Sequence, residues 1–256
     1  MSVEPAVALL ALLAVGAFFV RGLTGAASAI VFNALFAVLL AFGLGAGLTL
    51  LDGLYWIAVA DLCATLVLLV ALRTQLRLES FVLRFLIGSV PVNVLATLAL
   101  PQVDVAALTA GLGLVLVFAG AYLAFSPRVR PVPTATLDRW AIPFGALAGV
   151  LGGLYGMSGP VAVLFLSHAE GDPSKFRARV TVLALAWGSV RVTVLALTGA
   201  LTVTRLELAA VSLPFVFAGL AAGYWAHKFV QPRPFRLAMG LIVMTAGIVA
   251  LVRNFL

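Results

Sequence analysis

Apolar runs long enough to cross a membrane recur along the whole chain. An α-helix needs about 20 apolar residues to span a hydrocarbon core of about 30 Å. Six uninterrupted runs have about this length. They predict six transmembrane helices, at residues 50–72, 80–100, 105–125, 180–199, 206–227 and 235–252.

Two further apolar segments are too long for a single crossing. As continuous helices, residues 4–42 and 138–168 would measure about 58 Å and about 46 Å. Each carries a glycine-rich turn near its middle, Gly22-Leu23-Thr24-Gly25 in the first and Gly153-Leu154-Tyr155-Gly156 in the second. Each segment is therefore predicted to be a hairpin of two shorter helices.

Composition and charge place the chain in a membrane. Of its 256 residues, 64% are apolar and only 10% are charged, whereas soluble domains carry about 25% charged residues. The chain has 16 Lys and Arg residues against 9 Asp and Glu. Because basic residues accumulate in cytoplasmic loops, this excess indicates topology, and nucleic-acid binding is not expected. Twelve basic residues fall in four clusters: Arg73, Arg77 and Arg84; Arg128, Arg130 and Arg139; Lys175, Arg177 and Arg179; Lys228, Arg233 and Arg236.

These clusters predict how the chain is threaded. Residues 138–168 start and finish beside basic loops, so this segment enters the membrane from the cytoplasm and returns to it. Residues 4–42 then start and finish outside. We expect a multi-pass protein of the inner (plasma) membrane, with both termini extracytoplasmic.

A sequence repeat accompanies this topology. At an offset of 131 residues the two glycine turns align, Gly88 aligns with Gly219, and Asp61 falls one residue from the partner of Arg191. The predicted fold is an all-α integral membrane protein of two inverted repeats, each a broken-helix hairpin plus three transmembrane helices, a plan common among secondary transporters. The alternative is that glycines recur only because they let membrane helices pack closely. The predicted domains are the first repeat (1–126), a cytoplasmic linker (127–137) and the second repeat (138–256).

The second glycine turn belongs to a longer motif. Residues 149–160 read Gly-Val-Leu-Gly-Gly-Leu-Tyr-Gly-Met-Ser-Gly-Pro, and Gly171-Asp172 and Lys175-Phe176-Arg177-Ala178 follow. This pattern resembles the second-half signature of the TauE/SafE sulfite exporter family, also called the toluenesulfonate uptake permeases. The resemblance covers essentially the full length. It implies transport of sulfur-containing anions, namely sulfite, sulfoacetate, or aromatic and other organosulfonates.

The first turn is similar to the family pattern at Gly22-Leu23-Thr24-Gly25 and then departs from it. Ala26, Ala27 and Ala34 stand where the family usually has further glycines and a proline. The resemblance is therefore carried mainly by the second turn.

Both turns are predicted to start a helix inside the membrane. Gly156 and Gly159 tolerate turn conformations, Pro160 suits the first turn of a helix, and Ser158 is a candidate cap. The first hairpin offers an equivalent start at residues 26–28. Helix N-termini present free N–H groups and a partial positive charge, which suit the oxygens of a sulfonate. The alternative is a pair of hairpin tips that only pack.

Arg191, about midway along its span, is the leading candidate for a side-chain contact with the anion. A central arginine in a membrane helix costs at least about 2.5 kcal/mol on insertion scales, so it needs a partner. That partner is either the substrate anion, with which a guanidinium pairs well, or Asp61 in a permanent ion pair. Both hold if substrate or a proton competes for the Arg191–Asp61 pair. Trp187, one turn before Arg191, stacks on an aromatic substrate or packs, and packing is favoured.

Other polar residues near the turns add to this set. Arg21 is a second anion contact or snorkels, and Asn33 lies on the returning helix of the first hairpin. Asn33 and Asn93 each hydrogen-bond a neighbouring helix or line the substrate path, and the helix contact is favoured for Asn93. Asp52 is expected to be solvated. The predicted substrate-binding residues are Arg191, Gly25, Ala26, Ser28, Gly156, Met157, Ser158, Gly159, Trp187, Asn33 and Arg21.

The sequence therefore predicts a secondary transporter of sulfur-containing anions that works by alternating access, with substrate near the midplane between the hairpin tips. Proton coupling is assigned to Asp61. We expect no cofactor, metal or catalytic residue; the partners are the small anion and membrane lipids, and a homodimer is the default expectation. Two rivals stay open. One is an intramembrane serine protease of rhomboid type, in which Ser158 would need a base from His168 or His227; the other is an anion channel.

Overall fold

The protein is helical throughout the part of the chain that the computed structural model describes, which is residues 3–72, 79–125, 131–169, 173–226, 229 and 232–255. A short 3-10 turn, Leu100–Gln102, follows the fourth helix. The described α-helices are α1 (Val3–Thr24), α2 (Ser28–Ala41), α3 (Leu50–Leu72), α4 (Ser80–Ala99), α5 (Val105–Phe125), α6 (Thr134–Tyr155), α7 (Gly159–Leu166), α8 (Pro173–Leu197), α9 (Val203–Ala226) and α10 (Pro232–Phe255).

Seven of the described helices are long and apolar enough to cross a membrane, namely α1, α3, α4, α5, α8, α9 and α10. The bounds predicted for α3 and α5 agree with the structure, whereas α8 starts seven residues earlier than its apolar run. Its first turns hold Lys175, Arg177 and Arg179. These charges hide the start of the helix from a hydropathy pattern, and Pro173 is suited to a first turn.

Both overlong segments are broken where the glycine turns predict a break. Each segment contains two shorter helices, as predicted, but of unequal length: the first ones, α1 and α6, have 22 residues and reach about 33 Å. Helix α2 has 14 residues and α7 has 8. Helices α1 and α6 continue through Gly22 and Gly153, which pack as helical residues. They stop only where Gly25 and Gly156 take positive φ values of 80° and 69°.

The chain divides into two compact units, and each combines helices from both sequence halves. Unit 1 comprises Met1–Ile57, Gln102–Pro127 and Thr202–Leu256, and unit 2 comprises Ala58–Pro101 and Arg128–Leu201. In unit 1, α1 packs against α9, α5 against α10, and α2 against α1 and α10. In unit 2, α4 packs against α6 and α8, and α7 packs against the same α6 and α8.

Glycines bring the main helix pairs into backbone contact. A Cβ atom added to Gly22 of α1 would lie 2.6 Å from the backbone nitrogen of Tyr224 in α9. A Cβ atom added to Gly153 of α6 would lie 2.7 Å from the backbone oxygen of Asn93 and 2.9 Å from the backbone nitrogen of Thr97, both in α4. No side chain fits at such distances. Each unit is therefore built around a close glycine seam of the kind that small residues form in membranes.

An ion pair joins α3 to α9 in unit 1. Asp52, predicted to be solvated, keeps 20% of its side chain exposed, and its carboxylate accepts bonds of 3.0 Å and 2.8 Å from Nε and Nη2 of Arg205. Asp52 also caps its own helix, since Thr49 donates to it from its backbone nitrogen (3.0 Å) and its hydroxyl (2.7 Å). The guanidinium of Arg205 lies over the ring of Tyr55. The arginine thus meets its carboxylate and its aromatic ring on α3.

A second ion pair joins α8 to α4 in unit 2. Arg179 donates to both carboxylate oxygens of Glu79, the residue before α4, at 2.5 Å and 2.7 Å. Its guanidinium lies 5.3 Å from the ring centre of Phe81.

Several other predicted loop residues lie outside the described residues: Arg73, Arg77, Arg128, Arg130, Glu170, Gly171, Asp172, His227 and Lys228.

Candidate anion site at the helix breaks

The break in unit 1 holds two residues in the left-handed backbone region. Helix α1 ends at Thr24, whose hydroxyl donates to the Val20 carbonyl at 2.8 Å. Gly25 follows with φ 80°, and Ala27, the residue before α2, has φ 76°. An L-residue in this region costs roughly 1–2 kcal/mol because its Cβ approaches a carbonyl oxygen. The departure from the family pattern therefore coincides with strained backbone.

We expect Ala27→Gly to keep the fold and to stabilise it by up to about 1 kcal/mol. Removing the Cβ relieves the left-handed strain, and the greater freedom of glycine in the unfolded chain offsets part of that gain. Gly25→Ala should instead destabilise by about 1–2 kcal/mol, because it adds the same strain. Thermal unfolding of the purified protein in one detergent measures both changes. A lower melting temperature for Ala27→Gly would contradict the assignment of strain.

Unit 1 places a buried arginine at the start of α2. Arg21, in the last turn of α1, is 3% exposed, and its Nη1 donates to the hydroxyl of Ser28 at 3.3 Å. Helix α2 has no side-chain cap. Its first N–H groups and the Arg21 guanidinium therefore lie close together, because Arg21 bonds the first residue of the helix. Asn33 is buried in the second turn of α2. A helix N-terminus and a cation close together make this break electropositive.

The break in unit 2 is shaped by glycine and proline. Gly156 has φ 69° and ends α6, and the backbone nitrogen of Met157 donates to the Leu151 carbonyl at 3.1 Å. Such a bond across six residues is typical of a Schellman helix end. Helix α7 starts at Gly159 with Pro160 in its first turn, as predicted. The prediction that Ser158 caps α7 is wrong, because its side chain makes no capping hydrogen bond.

Arg191 lies at this second break. It is 2% exposed, and its Nη2 donates to the backbone carbonyl of Leu154, in the last turn of α6, at 3.3 Å. Arg191 lies six residues before the end of α8 rather than midway along it, and its guanidinium reaches the point where α6 ends. The pairing of Arg191 with Asp61 stays a prediction; Asp61 lies half-exposed on α3, where its backbone carbonyl accepts a bond from Thr65.

The interpretation favoured for Asn93 from sequence is wrong. Its side chain is fully buried, yet neither its amide nitrogen nor its amide oxygen has a hydrogen-bond partner among the described residues. It therefore does not bond a neighbouring helix. Its Nδ2 lies against Gly152, 2.7 Å from where a Cβ would stand, and the hydroxyl of Ser158 lies against the same glycine. The absence of a side chain at Gly152 makes room for both groups.

Trp187 packs, as favoured from its sequence position. Its indole N–H donates to the hydroxyl of Ser89 at 2.8 Å, and its ring lies 5.9 Å from that of Phe85. An equivalent contact exists in unit 1, where the indole of Trp56 donates to Ser212 at 2.7 Å. This counterpart was missed, although Trp56 and Trp187 stand at the same 131-residue offset as the glycine turns. Each serine also lies two residues before a proline.

The predicted site residues divide between the two units. Unit 1 holds one break with its arginine, and unit 2 holds the other break with Arg191, Trp187 and Asp61. A protease would need a base beside Ser158. The groups that meet at Gly152 are the Ser158 hydroxyl and the Asn93 amide, neither of which is a base. His168 follows the end of α7, and its Nδ1 lies 2.9 Å from the Leu164 carbonyl of that helix.

Comparison with known proteins gives one clear relationship. The profile of the family described as sulfite exporter TauE/SafE matches residues 9–250. Neither the curated proteins nor the solved structures gave a match. The matched range includes both helix breaks, Arg21, Arg191, and all or most of each described helix long and apolar enough to span a membrane. The chain is accordingly a multi-pass membrane protein that belongs to the sulfite exporter TauE/SafE family.

Proposed function

We propose that the protein is a secondary transporter of sulfur-containing anions, sulfite or organosulfonates, and that each helix break is a place where an anion binds. The observation that carries this proposal is a buried arginine at each break. Arg21 donates to Ser28 at the start of α2, and Arg191 donates to the Leu154 carbonyl before α7. A guanidinium inside a membrane protein marks a substrate path more often than a structural contact, and its fork of donors suits oxyanions.

The anion is bound by more than charge in this proposal. Neither α2 nor α7 has a side-chain cap, so the N–H groups of their first turns are available to substrate oxygens. Ser158 adds a hydroxyl at the second break. Met157, Gly156 and Gly25 shape the turns rather than contact the anion through side chains. Trp187 supports the site from α8 by holding Ser89.

Inverted repeats and alternating access complete the proposed mechanism. Three relations support them, each contained within one unit. The opening helix of each sequence half packs on a helix of the other half, α1 on α9 and α6 on α4. A tryptophan–serine bond recurs, from Trp56 to Ser212 and from Trp187 to Ser89. An arginine–carboxylate pair joins α3 to α9 and α8 to α4. Transporters with inverted repeats expose their site alternately to the two sides.

The finer proposals follow the same site. Asp61 is the proposed proton-coupling residue, and a homodimer in the inner membrane is the proposed assembly. A protease function is not favoured, since no base adjoins Ser158 among the described residues. A channel remains the rival that transport kinetics must separate from a carrier.

Counterflow in proteoliposomes tests the proposed function. Vesicles loaded with unlabelled sulfite should take up labelled sulfite transiently above its equilibrium level, because a carrier exchanges substrate across the membrane. Uptake should saturate and should be inhibited by organosulfonates but not by chloride. Uptake that grows linearly with concentration and shows no counterflow would identify a channel. No sulfite or sulfonate flux above that of protein-free vesicles would overturn the proposal.

Lys175 provides a test of the proposed topology. Its side chain is exposed near the start of α8, on the side that the positive-inside rule assigns to the cytoplasm. A membrane-impermeant amine reagent should leave it unlabelled in right-side-out vesicles and label it after permeabilisation. Peptide mass spectrometry separates this label from Lys228, and Lys175→Arg controls for specificity. Labelling of Lys175 in sealed vesicles would reverse the topology.

A further inference from the structure

Unit 2 contains a buried polar side chain that meets no hydrogen-bond partner in the part of the chain that the structure describes. Asn93 is 0% exposed, and both Nδ2 and Oδ1 are buried without a hydrogen-bond partner. Leaving buried donors and acceptors unpaired is costly, and the cost is not reduced inside a membrane, where water cannot replace the partner. A leucine would fill this position without that cost. The amide therefore needs a reason to be there that the protein alone does not supply.

The backbone around Asn93 fixes where the amide lies. Cβ atoms added to Gly149 and Gly153 of α6 would lie 3.1 Å and 2.7 Å from the backbone nitrogen and oxygen of Asn93. Helix α4 is thus held against α6 on both sides of this residue. The amide lies at Gly152 beside the hydroxyl of Ser158, one turn before the end of α6. It belongs to the break that Arg191 reaches.

The groups otherwise present at this break differ from Asn93 in one respect. The guanidinium of Arg191 and the uncapped N–H groups of α7 are donors only, and they would accept any oxyanion. The carboxamide offers both a donor, Nδ2, and an acceptor, Oδ1. A ligand with oxygens that only accept would satisfy Nδ2 and leave Oδ1 unpaired. A ligand that also carries an O–H or N–H group would satisfy both.

We propose that Asn93 is a specificity-determining residue that selects sulfur oxyanions carrying their own hydrogen-bond donor. Such ligands are organosulfonates with a hydroxyl close to the sulfonate, and sulfite in its protonated, singly charged form. The sulfonate oxygens face Arg191 and the start of α7, and the ligand's donor faces Oδ1 of Asn93. This inference rests on the proposed function, because it names which members of the substrate class the same site prefers.

A matched pair of ligands tests the selection without changing pH. Ethanesulfonate and 2-hydroxyethanesulfonate are both permanent monoanions and differ by one hydroxyl. Their Kd values are measured on the purified full chain by competition against labelled sulfite. The wild type should bind the hydroxylated ligand about tenfold more tightly or better, as sites built to pair a substrate hydroxyl do. Asn93→Leu should reduce this ratio to about one.

Control measurements separate the possible outcomes. Thr245→Val removes a hydroxyl that donates to the Leu241 and Ile242 carbonyls of its own helix α10 and should keep the wild-type ratio. Equal Kd values for the two ligands in the wild type would overturn the inference while leaving the proposed function standing, and this measurement needs no variant. A preference that persists in folded Asn93→Leu would also overturn it. If neither ligand nor sulfite binds, the proposed function itself has failed.

Discussion

Arg191→Ala should lower saturable sulfite uptake about 100-fold or more. The side chain is 2% exposed and reaches the helix break at the Leu154 carbonyl. Removing one partner of a buried charge pair costs about 3–5 kcal/mol. In Arg191→Ala the bound anion would lose its guanidinium partner. Initial uptake into proteoliposomes at low substrate concentration measures the loss. Protein incorporation must be equal in the compared vesicles.

Two further arginine variants make this result specific. Arg191→Lys keeps the charge but loses the planar fork of donors, so we expect it to recover part of the lost uptake. Arg253→Ala removes a guanidinium that lies over Phe42 at the end of α10, away from either break in sequence, and should leave uptake near that of the wild type. Wild-type uptake by Arg191→Ala would remove this residue from the site.

Gly22→Ala should destabilise the protein by about 3 kcal/mol or prevent its accumulation. The added methyl group would lie 2.6 Å from the backbone nitrogen of Tyr224 and 2.9 Å from the backbone carbon of Gly223. These atoms belong to a helix backbone and cannot turn aside as a side chain can. Overpacking of this kind typically costs about 1–3 kcal/mol, and the upper end applies because whole helices must separate.

Gly16→Ala is the matched control in the same helix. A Cβ at Gly16 would meet nothing within 4 Å, and alanine favours a helix over glycine by about 1 kcal/mol. We therefore expect unchanged or slightly higher stability. Both variants can be compared by fluorescence-detected size-exclusion after a heating series. Equal melting temperatures for Gly22→Ala and Gly16→Ala would contradict the backbone contact between α1 and α9.

The positions of the helices could be predicted from sequence because the membrane imposes one length on them. Apolar runs gave the bounds of α3 and α5, and segments of excess length revealed the breaks. The ends of α1 and α6 could not be placed in the same way. Glycine is compatible both with a helix and with a turn, and only contact with another helix decides which. Gly22 and Gly153 remain helical since α9 and α4 lie directly against them.

Side-chain roles were harder to predict than helix positions. The burial of Arg191 follows from its place in an apolar run, but its approach to Leu154 depends on how α8 packs against α6. Ser158 has the sequence position of a cap, yet Gly152 opens a space that its hydroxyl enters instead. Asn93 was predicted to bond a neighbouring helix. Sequence identifies a polar residue in a span, but it does not report whether a partner is within reach.

The two tryptophans bonded to serine give this protein built-in optical probes. The chain has four tryptophans; Trp140 and Trp225 are 51% and 69% exposed, whereas Trp56 and Trp187 are buried. Replacing the exposed pair with phenylalanine would leave a single emitting indole in each compact unit. Trp56 would then report on the surroundings of α3 and α9, and Trp187 on those of α4 and α8. A sulfur anion that rearranges one unit would change one emission spectrum and leave the other as it was.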